Sequence, residues 1–293
     1  MKIISLLLLI IISSVVKLNA QDFNQQRRGF AITNIGINGF VGGFGALINK
    51  RKGEKGFQVF MKGFGQGCLG GTFQTLGKEL AYQINSKENL TYAWPARITS
   101  SIGNSIAQNA ANNINFWEKW HFNLGFVRFD YTLKEKKFQA RISPTGTIGF
   151  GIAASQGKLN LKQTLQTGIF IVESEDFVWA LGRNSRGAAY FSSIALNKQV
   201  TGREYYELIT HELVHVLQYE NTVWINPLLS RFDHNLKEHN KTYRKLSDYV
   251  YFDFNGLTMY VFYLTQLKRP WECRFIEREA DLYGKRIVHP TCN

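Results

Sequence analysis

The chain has 293 residues, 44% of them hydrophobic and 14% aromatic, and its 35 Lys and Arg outnumber 22 Asp and Glu for a formal charge of +13. It is long enough to bury a substantial core and carries no internal repeat or low-complexity tail. The basic excess favours anionic surfaces such as lipid headgroups, but the charges are spread along the chain. No basic cluster interleaved with aromatics marks a nucleic-acid module, which argues against RNA or DNA as a partner.

Lys2, the apolar run Ile3 to Val16 and the small residue Ala20 before Gln21 have the layout of a secretory signal peptide, residues 1–20, cleaved after Ala20. The run is shorter than the ~20 residues that usually span a bilayer. Cleavage leaves 273 residues (293 − 20) and, without Lys2 and Lys17, a charge of +11. The expected destination is the periplasm, the outer membrane or the cell exterior. Asn89-Leu90-Thr91 and Asn240-Lys241-Thr242 are glycosylation acceptors if the source is eukaryotic.

Residues 29–80 hold 14 of the 26 glycines, with Gly39 and Gly43 four apart and Gly63, Gly67 and Gly71 continuing that interval. On helices this spacing lays bare backbone along one face, so a partner helix can come close. The polar run Asn49 to Lys55 reads as the turn of a helical hairpin. A membrane-inserting or oligomerising glycine zipper, a tightly packed soluble hairpin or glycine-rich strands all fit; each apolar half, about 14 residues, falls short of a bilayer span. Ile98, Ile102, Ile106 and Ala110 predict one more helix over 98–114. Residues 21–115 then form an accessory segment.

Residues 116–293 are expected to form a second domain. Between His121 and Asn197 the pattern is strand-like: 122–124, 126–131, 138–142, 147–153, 159–161, 168–172 and 189–196, with Ser143-Pro144-Thr145-Gly146 as a turn. An antiparallel sheet over 121–197 follows. Tyr206, Ile209, Leu213, Val216 and Leu217 give a helix over 202–220 a buried stripe. Residues 221–270 are mixed and aromatic-rich, and a last helix spans 271–288. The fold class is α+β: an N-terminal helical hairpin, a central antiparallel sheet and a C-terminal helical half. Of three cysteines, Cys273 and Cys292 are placed to bridge near the C-terminus, leaving Cys68.

The chemistry-bearing string is His211-Glu212-Leu213-Val214-His215. Residues four apart share a helix face, so both imidazoles can reach one metal ion, and neutral imidazole is a good zinc donor. Glu212, about 100° around the helix, can take a proton from water without being a ligand. A chance match in a chain of this length has odds on the order of 1%. A third ligand is needed, and Glu277 of Glu277-Arg278-Glu279-Ala280-Asp281 would supply it. Asp281 would accept a hydrogen bond from a liganding histidine, and Ala280 leaves room for close helix packing. Glu272 and Glu279 are the rival third ligands.

HELVH on one helix and Glu277-x-x-Ala280-Asp281 on a later one resemble the gluzincin metallopeptidases. The nearest branch contains the CAAX prenyl proteases and the bacterial HtpX-type and BepA-type envelope proteases. The resemblance covers residues 205–284. It implies one zinc per chain at His211, His215 and Glu277, base catalysis by Glu212, and Asp281 behind a histidine. The expected activity is hydrolysis of a polypeptide substrate, extended along the edge strand 189–196. Candidates for steadying the oxyanion are His234, His239, Tyr243, Tyr283 and His289. The alternative is a non-catalytic envelope protein that binds a membrane surface or an outer-membrane assembly, with a structural or vestigial zinc site.

Overall fold

The computed structural model describes residues 23–175, 186–222, 225–289 and Cys292; the expected signal peptide lies outside them. The fold is α+β. Two long helices, α1 (Phe23–Ile48) and α2 (Gly56–Lys87), form the N-terminal hairpin, and α3 (Ala93–Ala111) packs beside them. The turn falls on residues 49–55, as the sequence predicts. Glycine sets the helix spacing. A Cβ on Gly67 would stand 2.1 Å from Asn38 O, and one on Gly42 would stand 2.4 Å from Gly63 O. Both obstacles are backbone, so larger residues there would drive the helices apart. Asn38 donates to Gln74 and Gln74 to Asn104, each at 2.8 Å, so these three amides, one on each helix, are paired with one another. Among the described residues α1 is the helix long and apolar enough to cross a membrane by length and composition, yet its Phe30 and Ala46 are fully buried in the fold.

Strands β1 (Lys119–Leu124), β2 (Val127–Thr132) and β3 (Lys137–Ile142) form an antiparallel meander with Phe129 opposite both Phe122 and Ala140. Gly125, at φ +55°, starts the two-residue loop between β1 and β2. Burial disfavours charge on Asp130, but the guanidiniums of Arg128 (2.9 Å) and Arg141 (2.6 Å) outweigh it and lower its pKa to about 2.

The single antiparallel sheet expected over 121–197 is not what forms. A second, separate sheet runs in the order β4 (Lys158–Leu159), β5 (Phe170–Ser174), β7 (Ser193–Asn197), β6 (Gly187–Tyr190), with β5 and β7 parallel. Residues 147–153, expected as a strand, lie in helix α4 (Pro144–Ala154). The supposed turn is that helix's start: Ser143 caps it by accepting from Gly146 N at 3.1 Å, with Pro144 in the first turn. Likewise Asn160 caps α5 (Leu161–Thr167), so the strand expected at 159–161 stops at Leu159. The stretch 189–196 is a hairpin rather than one strand. It turns at Phe191, φ +54°, which leaves β6 on the edge and β7 inside.

Helix α6 (Gly202–Asn221) buries Ile209, Leu213, Val216 and Leu217. The segment after it is helical in pieces: α7 (Ile225–Leu228), α8 (Ser230–His239), α9 (Lys241–Leu246) and α10 (Asn255–Leu264). The last helix, α11 (Phe275–Lys285), is shorter than the 271–288 expected; a 3-10 turn, Trp271–Cys273, precedes it and Arg286 ends it in the left-handed conformation. Cys273 and Cys292 form a disulfide and Cys68 is free. One core joins Phe30, Ala81 and Ile84 of the hairpin to Ile171 and Ile194 of the second sheet, Leu213 and Leu217 of α6, and Leu282 of α11. The division expected at residue 115 therefore runs through a shared core.

Candidate metal centre

Helical spacing puts His211, His215 and Gln218 of α6 on one side, and Glu277 and Asp281 of α11 face them. The two helices pack closely because small residues line the seam. Ala280 is fully buried, and a Cβ on Gly284 would stand 2.9 Å from His211 Cα. Two segments 62 residues apart in sequence thus meet at three donor atoms. His211 Nε2 and His215 Nε2 are 3.0 Å apart, and each is 3.4 Å from Glu277 Oε2. His211, His215 and Glu277 form the one group among the described residues able to hold a metal ion.

Two edges of this triangle match a tetrahedrally held metal ion and the third is shorter. A tetrahedron with bonds of about 2.0–2.1 Å has edges of about 3.3–3.4 Å. The outer nitrogens explain why the lone pairs point inward. His215 Nδ1 is 2.8 Å from Gln218 Oε1, while Gln218 Nε2 donates to Ile276 O (2.9 Å) and Glu279 Oε2 (2.8 Å). With its NH2 committed to two acceptors, Gln218 offers His215 only an oxygen, so Nδ1 carries the proton and Nε2 is free to ligate. His211 Nδ1 stands 2.9 Å from Asp281 Oδ1, with its N–H off the direct line, and the carboxylate holds the proton on that side. Asp281 also contacts Lys285 (3.2 Å) and His289 Nε2 (2.7 Å).

The carboxylates and the imidazoles of the cluster shift one another's charge. Burial disfavours charge on both rings, yet Asp281 and Glu277 raise His211 above the ordinary imidazole value. Against the same penalty, Glu277 raises His215 to about 9. Burial likewise opposes ionisation of Glu277, but the two imidazoles hold it at about 2. Three inward donors without a positive charge repel one another; protons or a metal ion relieve this.

Glu212 is buried and its charge acts on both ligand rings. It also acts on Tyr190 at the end of β6, whose hydroxyl accepts from Gln156 Nε2 at 2.8 Å. The rival third ligands are elsewhere: Glu279 is buried against Lys78 Nζ (2.7 Å), and Glu272 is on the surface. The five oxyanion candidates do not converge on the donors. His234 pairs with Glu238, His239 with Asn235 O, and Tyr243 donates to Asp233, all within α8 and α9. Tyr283 is fully buried, with Glu279, Glu79 and Arg27 around it. His289 reaches only the outer side of Asp281.

Sequence reasoning missed Gln218, Gly284 and Lys78. Gln218 was findable, because it sits three residues after His215 on the ligand face. Gly284 and Lys78 carry no local signal, since their roles depend on which helix lies opposite. The chain matches no protein-family model, no curated protein and no solved structure.

Proposed function

We propose that this chain is an exported zinc metallopeptidase. The observation supporting this reading is the donor triangle, 3.0, 3.4 and 3.4 Å on its edges, with Glu212 beside it. His211, His215 and Glu277 would hold the zinc, which would supply Lewis-acid polarisation of a scissile carbonyl and lower the pKa of a water towards ~7. Glu212 would serve as the base that accepts a proton from water attacking the carbonyl and returns it to the leaving nitrogen. Gln218 and Asp281 face the Nδ1 side of the two rings, which leaves each Nε2 aimed at the donor triangle. An extended polypeptide pairs along Ala188–Tyr190 of β6, an end strand of the second sheet among the described residues.

The test uses purified protein, an unfolded polypeptide and a chelator. Wild type binds one zinc per chain and cleaves until chelated. Glu212→Gln keeps the zinc and loses hydrolysis by about 10²–10⁴-fold, whereas Glu277→Ala loses the zinc itself. Full activity in Glu212→Gln, or a full zinc complement in Glu277→Ala, would overturn the reading.

A further inference from the structure

The α1–α2 hairpin has an apolar face that the other described residues leave open. Phe40, Phe57 and Met61 are 50%, 77% and 48% exposed. Phe40 belongs to a four-ring cluster: it lies 6.4 Å from Phe44 and 5.3 Å from Phe64, and Phe60 lies 5.3 Å from Phe44 and 6.0 Å from Phe64. Gly39 and Gly43 permit it, since a Cβ at either position would stand within 3.0 Å of the Phe64 or Phe60 ring. Positions 57, 61 and 64 recur at helical spacing, so Phe57 and Met61 carry the same face of α2 towards the turn.

At that turn the charge is one-sided. Lys50, Arg51, Lys52, Lys55 and Lys62 stand against Glu54 alone within residues 49–62, a balance of +5 − 1 = +4. Glu54 is engaged, accepting from Arg51 N and Asn113 Nδ2 at 2.7 Å each. Arg231 of α8 adds a further cation by donating to Lys50 O at 2.9 Å. Exposed aromatics beside a lysine cluster suit few partners. Lysine is depleted in protein interfaces, whereas an anionic bilayer takes up both parts, rings between the headgroups and ammonium groups on the phosphates.

We infer that the tip and open face of this hairpin dock on an anionic lipid bilayer, with Phe40, Phe57 and Met61 entering the headgroup layer. This stands apart from the peptidase reading. The hairpin is tied to the metal-bearing helix, because Lys78 of α2 bonds Glu279 at 2.7 Å, so docking sets the metal centre at a fixed height above the lipid.

The test is co-sedimentation with phosphatidylcholine vesicles, with and without phosphatidylglycerol, at low and high salt. The N-terminus is determined by mass spectrometry, so that binding through a retained leader is counted apart. Wild type sediments with the anionic vesicles and is released by salt. The doubly substituted Phe57→Glu, Met61→Glu protein stays in the supernatant. Lys52→Glu with Lys55→Glu weakens binding by about twentyfold or more, at roughly fivefold per basic residue. Leu165→Glu, at a site 66% exposed on α5, binds as wild type. Far-UV circular dichroism verifies that each variant is folded. The inference fails if anionic vesicles do not bind the wild type, or if Leu165→Glu loses as much as the hairpin variant. It fails too if light scattering finds a dimer that the hairpin variant splits while no vesicle binds.

Discussion

At His215 the two ring nitrogens have separate duties, one towards the donor triangle and one towards Gln218. Gln218 is itself oriented by Ile276 O and Glu279, and Glu279 is held by Lys78. The ligand's tautomer therefore depends on a hydrogen-bond chain that ends in the N-terminal hairpin. Replacing Gln218 with Leu removes the oxygen that holds the Nδ1 proton and leaves one acceptor of Glu279 unpaired. Zinc affinity should fall by about 10–100-fold, measured by competition with a chromogenic chelator, while the disulfide and the fold remain. An unchanged affinity would show that Gln218 does not orient the ligand.

The elements α6 and α11 owe their closeness to Gly284. Even alanine there meets His211 Cα and N at 2.9 and 3.0 Å, both backbone atoms, so the helices must separate. Gly284→Ala should weaken zinc binding and cost about 1–3 kcal/mol by chemical denaturation; a change in neither would mean that the seam relaxes freely. In the three-stranded meander the controlling group is Asp130, whose folded pKa of about 2 lies below the usual ~3.9. A depressed carboxylate contributes stability above its unfolded value and loses it as pH falls from about 4 towards 2. The size is about 2 kcal/mol. Asp130→Asn should therefore be less stable than wild type at pH 7, with the gap closing on acidification. A gap independent of pH would assign the loss to packing. The strand expected at 147–153 shows the limit of local pattern, because Thr, Ile and Phe suit a strand while the Ser143–Pro144 cap had already begun a helix.

For the whole molecule, the shared core couples the hairpin to the half that carries the donor triangle. Phe30 stacks edge-on with Phe275, ring centroids 4.9 Å apart, and Asn85 of α2 donates to Gly284 O at 3.3 Å. Far-UV circular dichroism and tryptophan fluorescence should therefore report one coincident unfolding transition, and zinc should shift both together. Two separated transitions would restore a boundary near residue 115.

Sequence alone determined the features whose cause is local. Four-residue spacing put His211 and His215 on one helix face, glycine intervals marked the hairpin and its turn at 49–55, and the apolar stripe delimited α6. Cysteine pairing was left open by the sequence, and the structure closes the Cys273–Cys292 bridge. Tertiary structure alone decided which carboxylate faces the histidines, since Glu277 and Glu279 differ only in the helix face each occupies, one towards α6 and the other towards Lys78. It also decided the strand order, because hydrogen bonding between β5 and β7 joins residues that no local periodicity relates. Local geometry can place a residue on a face; only packing chooses what that face meets.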